Sequence, residues 1–310
     1  MLLSPAELPF PVSPAAVYGR AAPWALEIGF GDGRFLVELA RLHPEWNLLG
    51  AEVAPASVSR ALRRLRREGV ARARLYRGDA RFLLRNLVPV RGLERVYVNF
   101  PDPWPKKKHA GRRLLQPHFF RLLATRLANG GALLLTTDHP EYFEFATAAG
   151  KASGLFAVRP GPPPPETLRT KYARKWLDQE KPIFHAAFHK IAEAGETFPP
   201  IRRYPMPHAL MQGALPPAEA FEKQIETAPE AGVVLLEAWQ SGPGLIILAR
   251  VEEPELVQEV LLEARPSNSG VFVGLRPNCS PLVSAGVKRA VGLLVRWLES
   301  RGLETRQRSY

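Results

Sequence analysis

The sequence predicts an α/β fold, a doubly wound and mostly parallel sheet, followed by a small α+β region toward the C-terminus. Between residues 24 and 150, short apolar segments alternate with amphipathic ones, as in parallel strands connected by helices. The apolar segments are continuous, which is typical of strands buried on both faces. The chain has 310 residues, a length that suits two domains of about 100–200 residues each.

Glycines and prolines set the limits of the predicted elements. Residues 24–30 form an apolar strand that ends in a glycine-rich turn, and a helix over 33–42 stops ahead of Pro44. A second strand, 48–53, precedes a helix over 55–69. The same signals predict strands at 74–77, 95–100, 132–137 and 183–191, and helices at 80–88, 116–129 and 140–150.

A proline-rich segment, 160–165 (PGPPPP), predicts a stiff linker. We place a domain boundary near residue 205, which gives an N-terminal extension (1–20), an α/β domain (21–204) and a C-terminal region (205–310). The last region is predicted to be an α+β module with its own core, with strands at 233–239, 245–251 and 271–275 and helices at 254–264 and 281–300.

The net charge of +12 is unevenly distributed. Residues 1–204 carry 32 basic and 18 acidic side chains, whereas residues 205–310 carry 10 and 12. This asymmetry indicates a polyanionic partner for the first region only. The single cysteine, Cys279, excludes an internal disulfide framework, and no cysteine or histidine spacing predicts a metal site. Without an apolar run of about 20 residues or a secretory signal, we expect a cytoplasmic protein.

The turn after the first strand, Gly29 to Gly33, has the spacing G-x-G-x-G between a strand and a helix. Glycines there let a ligand approach the backbone closely. Glu27 and Asp32 flank the turn, and their negative charge disfavours a phosphate. The pattern suits a ligand that carries a cation, such as S-adenosylmethionine. An ordinary tight turn is the alternative.

Further acids follow the next two strands. Glu52 ends the second strand, where a carboxylate can accept hydrogen bonds from both ribose hydroxyls. Asp79 follows the third strand, where it would lie beside an adenine amino group or serve as a helix N-cap. Because acids follow three successive strands, the sequence favours an adenosyl ligand at one edge of the sheet.

The loop after the fourth strand, NFPDPWPKKKHAGRRL, combines three prolines with Asp102, Trp104 and a basic run. Prolines restrict their own backbone and that of the preceding residue. We expect a rigid loop in which Trp104 stacks on a base and Asp102 accepts from a base edge. The lysines with Arg112 and Arg113 would then meet phosphates.

These motifs resemble the bacterial tRNA (guanine-N7-)-methyltransferases over roughly residues 20–192, with the FPDPWPKKxH stretch as the most specific part. The resemblance implies a Rossmann-like class I methyltransferase domain over 21–204 that uses S-adenosylmethionine to methylate N7 of guanosine 46 in the variable loop of tRNA. It also implies residue roles. The cofactor positions are Glu27, Gly29, Gly31, Glu52, Asp79 and Asp102, with Asp102 also catalytic; the substrate positions are Lys106, Asp138, Thr170, Lys171 and Tyr172; the RNA contacts are Lys108, His109, Arg112 and Arg113.

The departures from the family pattern are local. Ala173 stands where the family commonly has glutamate, and Gly111 where a basic residue is usual. Residues 205–310 have no counterpart in the short family members. Two alternatives stay open: a methyltransferase that acts on another base, and a non-catalytic tRNA-binding protein with a vestigial cofactor pocket.

Arginines are concentrated between residues 60 and 77, where Glu68 is the single acid. Arg60, Arg63, Arg64 and Arg67 share one face of the predicted helix. They form either a path for the tRNA backbone or an ordinary solvated face.

Overall fold

The computed structural model describes residues 1–170, 173, 179–277 and 280–310. Lys171, Tyr172 and Cys279 therefore lie outside the described residues. The chain divides into two compact units: Met1–Ser4 with Leu8–Pro200, and Pro5–Glu7 with Ile201–Tyr310. The division falls four residues before the expected boundary, and it assigns part of the 1–20 segment to the second unit.

The first unit contains a seven-stranded sheet of order β3-β2-β1-β4-β5-β7-β6. Its strands are β1 (Trp24–Ile28), β2 (Asn47–Glu52), β3 (Ala73–Arg77), β4 (Leu93–Asn99), β5 (Leu127–Thr137), β6 (Phe156–Pro160) and β7 (Phe184–Lys190). Strands β1 to β5 pair in parallel, and β7 runs antiparallel to both β5 and β6. The predicted doubly wound α/β fold is confirmed.

Helices connect these strands, and most begin where the sequence supplies a proline or a cap. They are α1 (Pro14–Tyr18), α2 (Arg34–Leu42), α3 (Pro55–Arg67), α4 (Ala80–Asn86), α5 (Pro117–Arg126) and α6 (Pro140–Ala152). Proline occupies the first turn of α3, α5 and α6, where its missing N–H removes no helical hydrogen bond. Short 3-10 turns lie at Pro5–Glu7, Lys107–Arg112, Thr167–Arg169 and Ala218–Ala220.

The arrangement of β1 and β4 determines where a ligand can bind. All five residues of β1 are buried, and its neighbours β2 and β4 lie on opposite sides of it. The strand order therefore reverses between β1 and β4. In open parallel sheets the crevice at the carboxyl ends of such strands is the usual ligand site. The residues that follow β1, β2, β3, β4 and β5 all meet at this edge.

The second unit is an antiparallel sheet covered by one long helix. Its strand order is β14-β8-β13-β12-β11-β10-β9. The elements are β8 (His208–Gln212), β9 (Gln224–Ala228), β10 (Ala231–Ser241), β11 (Gly244–Glu253), β12 (Leu256–Ser267), β13 (Gly270–Leu275), α7 (Ala285–Ser300) and β14 (Glu304–Arg308). Val287, Val291, Leu294 and Leu298 of α7 are buried in the core of this unit. The predicted α+β character is confirmed.

The predicted helix at 254–264 is wrong, because this segment forms β12. It pairs with β11 from Leu256 opposite Glu253 to Ala264 opposite Leu245, and from Leu262 to Ser267 it also pairs with β13. Glutamate, leucine and glutamine favour helices in isolation, but such propensities amount to tenths of a kcal/mol per residue. Strand pairing on both sides of the segment outweighs them.

Candidate active site

A cleft of about 720 Å³ opens at the carboxyl edge of the first sheet. It is lined by most of the site residues that the sequence indicates, namely Glu27, Gly29, Gly31, Glu52, Asp79, Asp102, Asp138 and Thr170. Trp104 and Arg112 line it too. The strand order thus brings residues that are up to 143 positions apart in the chain (Glu27 and Thr170) to one site.

The glycines after β1 have two different physical functions. Gly29 and Gly31 adopt φ angles of +77° and +53°, and a Cβ on either would meet nothing within 4 Å. They provide a left-handed turn with open space beside it, where a ligand can approach the backbone. Gly33 also has a positive φ, +77°, but a Cβ there would lie 2.9 Å from the Cβ of Ala61. It permits close packing of α2 against α3.

Glu52 connects the end of β2 to the glycine turn. Its Oε2 accepts a hydrogen bond from the Gly31 N–H at 3.0 Å, and its Oε1 accepts one from the Ala54 N–H at 3.0 Å. A carboxylate has about four acceptor sites, so capacity remains for two more donors. Two vicinal hydroxyls of a ribose would satisfy it.

Glu27 is a buried acid at the base of the cleft, with 3% of its surface exposed. Burial raises the pKa of its carboxyl to about 8, against the opposing effect of the nearby Asn99 amide. The carboxylates of Glu52 and Asp32 add to the rise. Buried carboxyls favour the neutral form unless a cation compensates the charge.

Three buried polar atoms in this part of the cleft lack partners. Oε2 of Glu27 and both amide atoms of Asn99 have no partner at normal hydrogen-bond distance and angle among the described residues, although the Asn99 amide lies near enough to the Glu27 carboxyl to favour its ionised form. Unsatisfied buried polar groups are rare and costly, by about 1–3 kcal/mol each. Both side chains line the cleft. The donor and acceptor set therefore fits a ligand that presents a cationic N–H group, as S-adenosylmethionine does.

Asp79 is the N-cap of α4. Its Oδ1 accepts from the backbone N–H of Arg81 at 2.7 Å, and the same carboxylate pairs with the Arg81 guanidinium. The N-cap alternative considered from the sequence is thus observed. Because Asp79 also lines the cleft, a contact with an adenine amino group stays a prediction.

The loop after β4 has a strained backbone. Phe100 and Trp104 have φ angles of +52° and +43°, which bulky residues adopt only where the surroundings impose it. The Phe100 N–H donates to the carbonyl of Thr136 at 2.7 Å, which fixes the start of the loop to β5. Such strain is characteristic of preorganised functional loops. In this conformation the loop places Asp102 and Trp104 in the lining of the cleft.

Arg113 supports the other end of this loop. Its Nε donates to the carbonyl of Pro103 at 2.9 Å, and its guanidinium lies 4.9 Å from the ring centre of Phe145. Its half-buried side chain thus braces the loop, and the contact of Arg113 with RNA that the sequence indicated stays a prediction. Arg112 differs, since it is exposed and stacks over Trp104 at 5.0 Å.

Three further residues of the basic segment, Lys106, Lys108 and His109, do not line the cleft. Lys106 and Lys108 are exposed, and His109 makes an edge-to-face contact with Trp104 at 5.8 Å. They belong to the segment that follows β4, outside the cleft. Ala173, where the family commonly has glutamate, is fully buried, and its N–H donates to Thr170 Oγ1 at 3.2 Å.

Arg64 has a role at the site that the sequence did not reveal. Its Nη2 lies 3.0 Å from Asp32 Oδ2, and its Nε donates to the Asp32 carbonyl at 2.9 Å. It therefore fixes the glycine turn to α3. The two residues are 32 positions apart, so only the packing of α2 against α3 brings them together.

The described residues contain no group of three histidine, cysteine or acidic side chains that could hold a metal ion. In the same residues, no helix is long and apolar enough to cross a membrane.

The strand order, the glycine turn after β1 and the acid at the end of β2 define a class I methyltransferase fold with a site for S-adenosylmethionine. A family described as "Putative methyltransferase" matches residues 21–186. The tRNA (guanine-N(7)-)-methyltransferase of Thermus thermophilus is 52% identical over 308 residues, which cover 99% of both chains. That of Deinococcus radiodurans is 41% identical over 315 residues, 97% of each chain. That of Thermotoga maritima is 38% identical over 191 residues, 61% of each. The chain belongs to the tRNA (guanine-N7-)-methyltransferase family.

Proposed function

We propose that this protein transfers the methyl group of S-adenosylmethionine to N7 of guanosine 46 in the variable loop of tRNA. The observation that carries the proposal is a single cleft that joins a cation-compatible cofactor site to a rigid acidic and aromatic loop. The names of the full-length relatives supply the substrate class, and the family resemblance supplies position 46.

The cofactor would supply a methyl group on a positively charged sulfur. Glu27 and Asn99, with their unpartnered atoms, would hold the cationic amino acid end. Glu52, already oriented by the Gly31 and Ala54 N–H groups, would accept from the ribose hydroxyls. Asp79 would lie beside the adenine.

Asp102 and Trp104 would orient the guanine. N7 of guanine has a free lone pair, so the reaction requires no general base to remove a proton from that atom. The protein accelerates such a transfer mainly by positioning, which contributes about 7–11 kcal/mol in the most favourable intramolecular cases. Asp102 would accept from the guanine N–H groups, and its negative charge would stabilise the positive charge that develops on the ring.

The other substrate residues are proposed on their position. Asp138 and Thr170 line the cleft, and Lys106 lies on the loop that carries Asp102. Lys171 and Tyr172 are included on the family resemblance alone. Because Ala173 is buried and apolar, the carboxylate contact that other members have at this position is missing here.

The decisive experiment measures transfer of labelled methyl from S-adenosylmethionine to a tRNA transcript, with the modified base mapped by borohydride and aniline cleavage. We expect cleavage at guanosine 46 and no label in a transcript with adenosine at that position. The Asp102→Asn variant should lose at least 100-fold in turnover while its affinity for S-adenosylmethionine stays within about twofold. Label on another base would refute the assignment of the target, and unchanged turnover would refute the role of Asp102.

A further inference from the structure

The surface formed by α3 and β3 is rich in arginine. Eight arginines fall between residues 60 and 77, and the single acid among them is Glu68. The structure separates these arginines into two groups by what their guanidinium groups contact.

Three of them stabilise the fold. Arg64 binds Asp32, and Arg72 donates to the carbonyl of Ala40. Arg74 donates to the carbonyl of Val17 at 2.9 Å and stacks over the ring of Tyr18. These contacts hold the three side chains, which are half-buried, against the first unit, so they are poorly placed to bind a separate molecule.

The others project into solvent; they are Arg60, Arg63, Arg66, Arg67 and Arg77. Arg63, Arg66 and Arg77 form no hydrogen bond or ion pair with the described residues. Arg60 uses one donor, to Ser57 Oγ at 2.9 Å, and a guanidinium has five. Arg67 pairs only with the exposed Glu68, and such surface pairs contribute little.

The geometry of α3 makes Arg60, Arg63 and Arg67 a row. They lie on one face over two turns, a length of about 10 Å, opposite the buried residues Val58 and Leu65. The row begins next to the cleft, since Ser57, whose hydroxyl accepts from Arg60, lines it. It then runs down the side of the sheet that ends in β3.

We propose that Arg60, Arg63 and Arg67 form a binding path for the phosphate backbone of the tRNA, leading away from the cleft. The inference rests on the proposed function, because it assumes that the nucleic acid enters at this edge. Guanidinium groups with unused donors attract phosphates, and of the three only Arg67 has an acid partner among the described residues, the exposed Glu68. The excess of 32 basic over 18 acidic residues in residues 1–204 reinforces the attraction.

The test compares two double variants that remove the same amount of charge. Arg63→Gln with Arg67→Gln removes two members of the row. Lys151→Gln with Arg159→Gln removes two exposed cations near β6, at the opposite edge of the sheet. The affinity for a tRNA transcript is measured at several salt concentrations, together with the affinity for S-adenosylmethionine and the rate of methyl transfer.

We expect the row variant to bind tRNA about tenfold or more weakly at moderate salt. The slope of log affinity against log salt should become shallower by about one for each phosphate that the variant no longer neutralises, hence by about two. The control pair should keep the wild-type slope. The double variant Arg63→Lys with Arg67→Lys, which preserves both charges, should have a slope close to that of the wild type. KM for tRNA should rise while kcat at saturating tRNA stays near wild type.

An unchanged slope in the row variant, or an equal decrease in the control pair, would overturn the proposal. The binding readout does not depend on methyl transfer. If the wild-type protein bound tRNA through this row but transferred no methyl group, the path would stand and the proposed function would fail. If methyl transfer occurred with unchanged slopes, the path would fail and the function would stand.

Discussion

Replacement of Glu27 by glutamine tests whether this buried acid of the candidate site lowers the stability of the folded chain. The pKa of Glu27 is raised from 4.5 to about 8 by burial. Between these values the carboxyl is protonated in the folded chain and ionised in the unfolded chain, so unfolding releases a proton. Stability therefore falls as pH rises through this window, by about 1.4 kcal/mol per pH unit and by about 3 kcal/mol at pH 7.

Glutamine has nearly the same shape and cannot ionise, so the Glu27→Gln variant should not show this decrease. At pH 5 the ligand-free variant should resemble the wild type, and at pH 7 it should be more stable. A difference of about 3 kcal/mol corresponds to roughly 6–12 °C in melting temperature for a unit of this size. Thermal unfolding of both proteins between pH 5 and 8.5 measures the difference, and Glu144→Gln, on the exposed face of α6, is the matched control.

The same substitution should weaken cofactor binding. The wild type gains a compensating cation when S-adenosylmethionine binds, so its affinity should rise toward pH 8 relative to that of the variant. The variant also controls for titration of the ligand itself. Parallel curves of melting temperature against pH for the wild type and Glu27→Gln would refute the reasoning, because Glu27 would then titrate alike in the folded and unfolded chains.

Three further substitutions have effects that follow from single contacts. Gly33→Ala places a Cβ 2.9 Å from that of Ala61 at a φ of +77°, so chemical denaturation should show a destabilisation of about 1–3 kcal/mol. Arg113→Met removes the donor that holds the strained loop, and kinetics should show turnover reduced at least tenfold with cofactor affinity kept. Thr136→Val leaves Nδ1 of buried His185 without its partner at 3.0 Å, and unfolding measurements should show a destabilisation of about 1–3 kcal/mol.

The first sheet was predictable because most of its strands can be recognised from the local sequence. β1 and β4 are apolar runs bounded by glycine or proline, and their limits differ from the predicted ones by only a few residues. β6 (FAVRP) and β14 (ETRQR) are among the strands that were not predicted, since segments of five residues are too short to show a period. They are strands only because β7 and β8 pair with them. β12 was mistaken for a helix for the same reason, since its partners are invisible in the local sequence.

In the candidate site, the positions of the acids could be predicted from the sequence, but the contacts of the arginines could not. Glu27, Glu52 and Asp102 could be placed at one edge because they follow strands of a parallel sheet. The sequence could not show that Arg113 braces the loop or that Arg64 holds the glycine turn, because both were simply members of basic runs. Which guanidinium groups are engaged depends on packing between elements.

The unsatisfied atoms at the site and the strained loop have one physical explanation. Oε2 of Glu27 and the amide atoms of Asn99 are buried without a normal hydrogen-bond partner among the described residues, and Phe100 and Trp104 of the loop that follows Asn99 have unfavourable backbone angles. A sequence selected for stability alone would remove both features, since each costs about 1–3 kcal/mol. The buried β1 and the contacts of Arg113 and Thr136 keep them in place before any ligand arrives. A ligand that forms hydrogen bonds with these polar atoms removes the free-energy cost of leaving them unsatisfied. It also binds to a loop that is already ordered, so binding does not carry the entropic cost of ordering that loop.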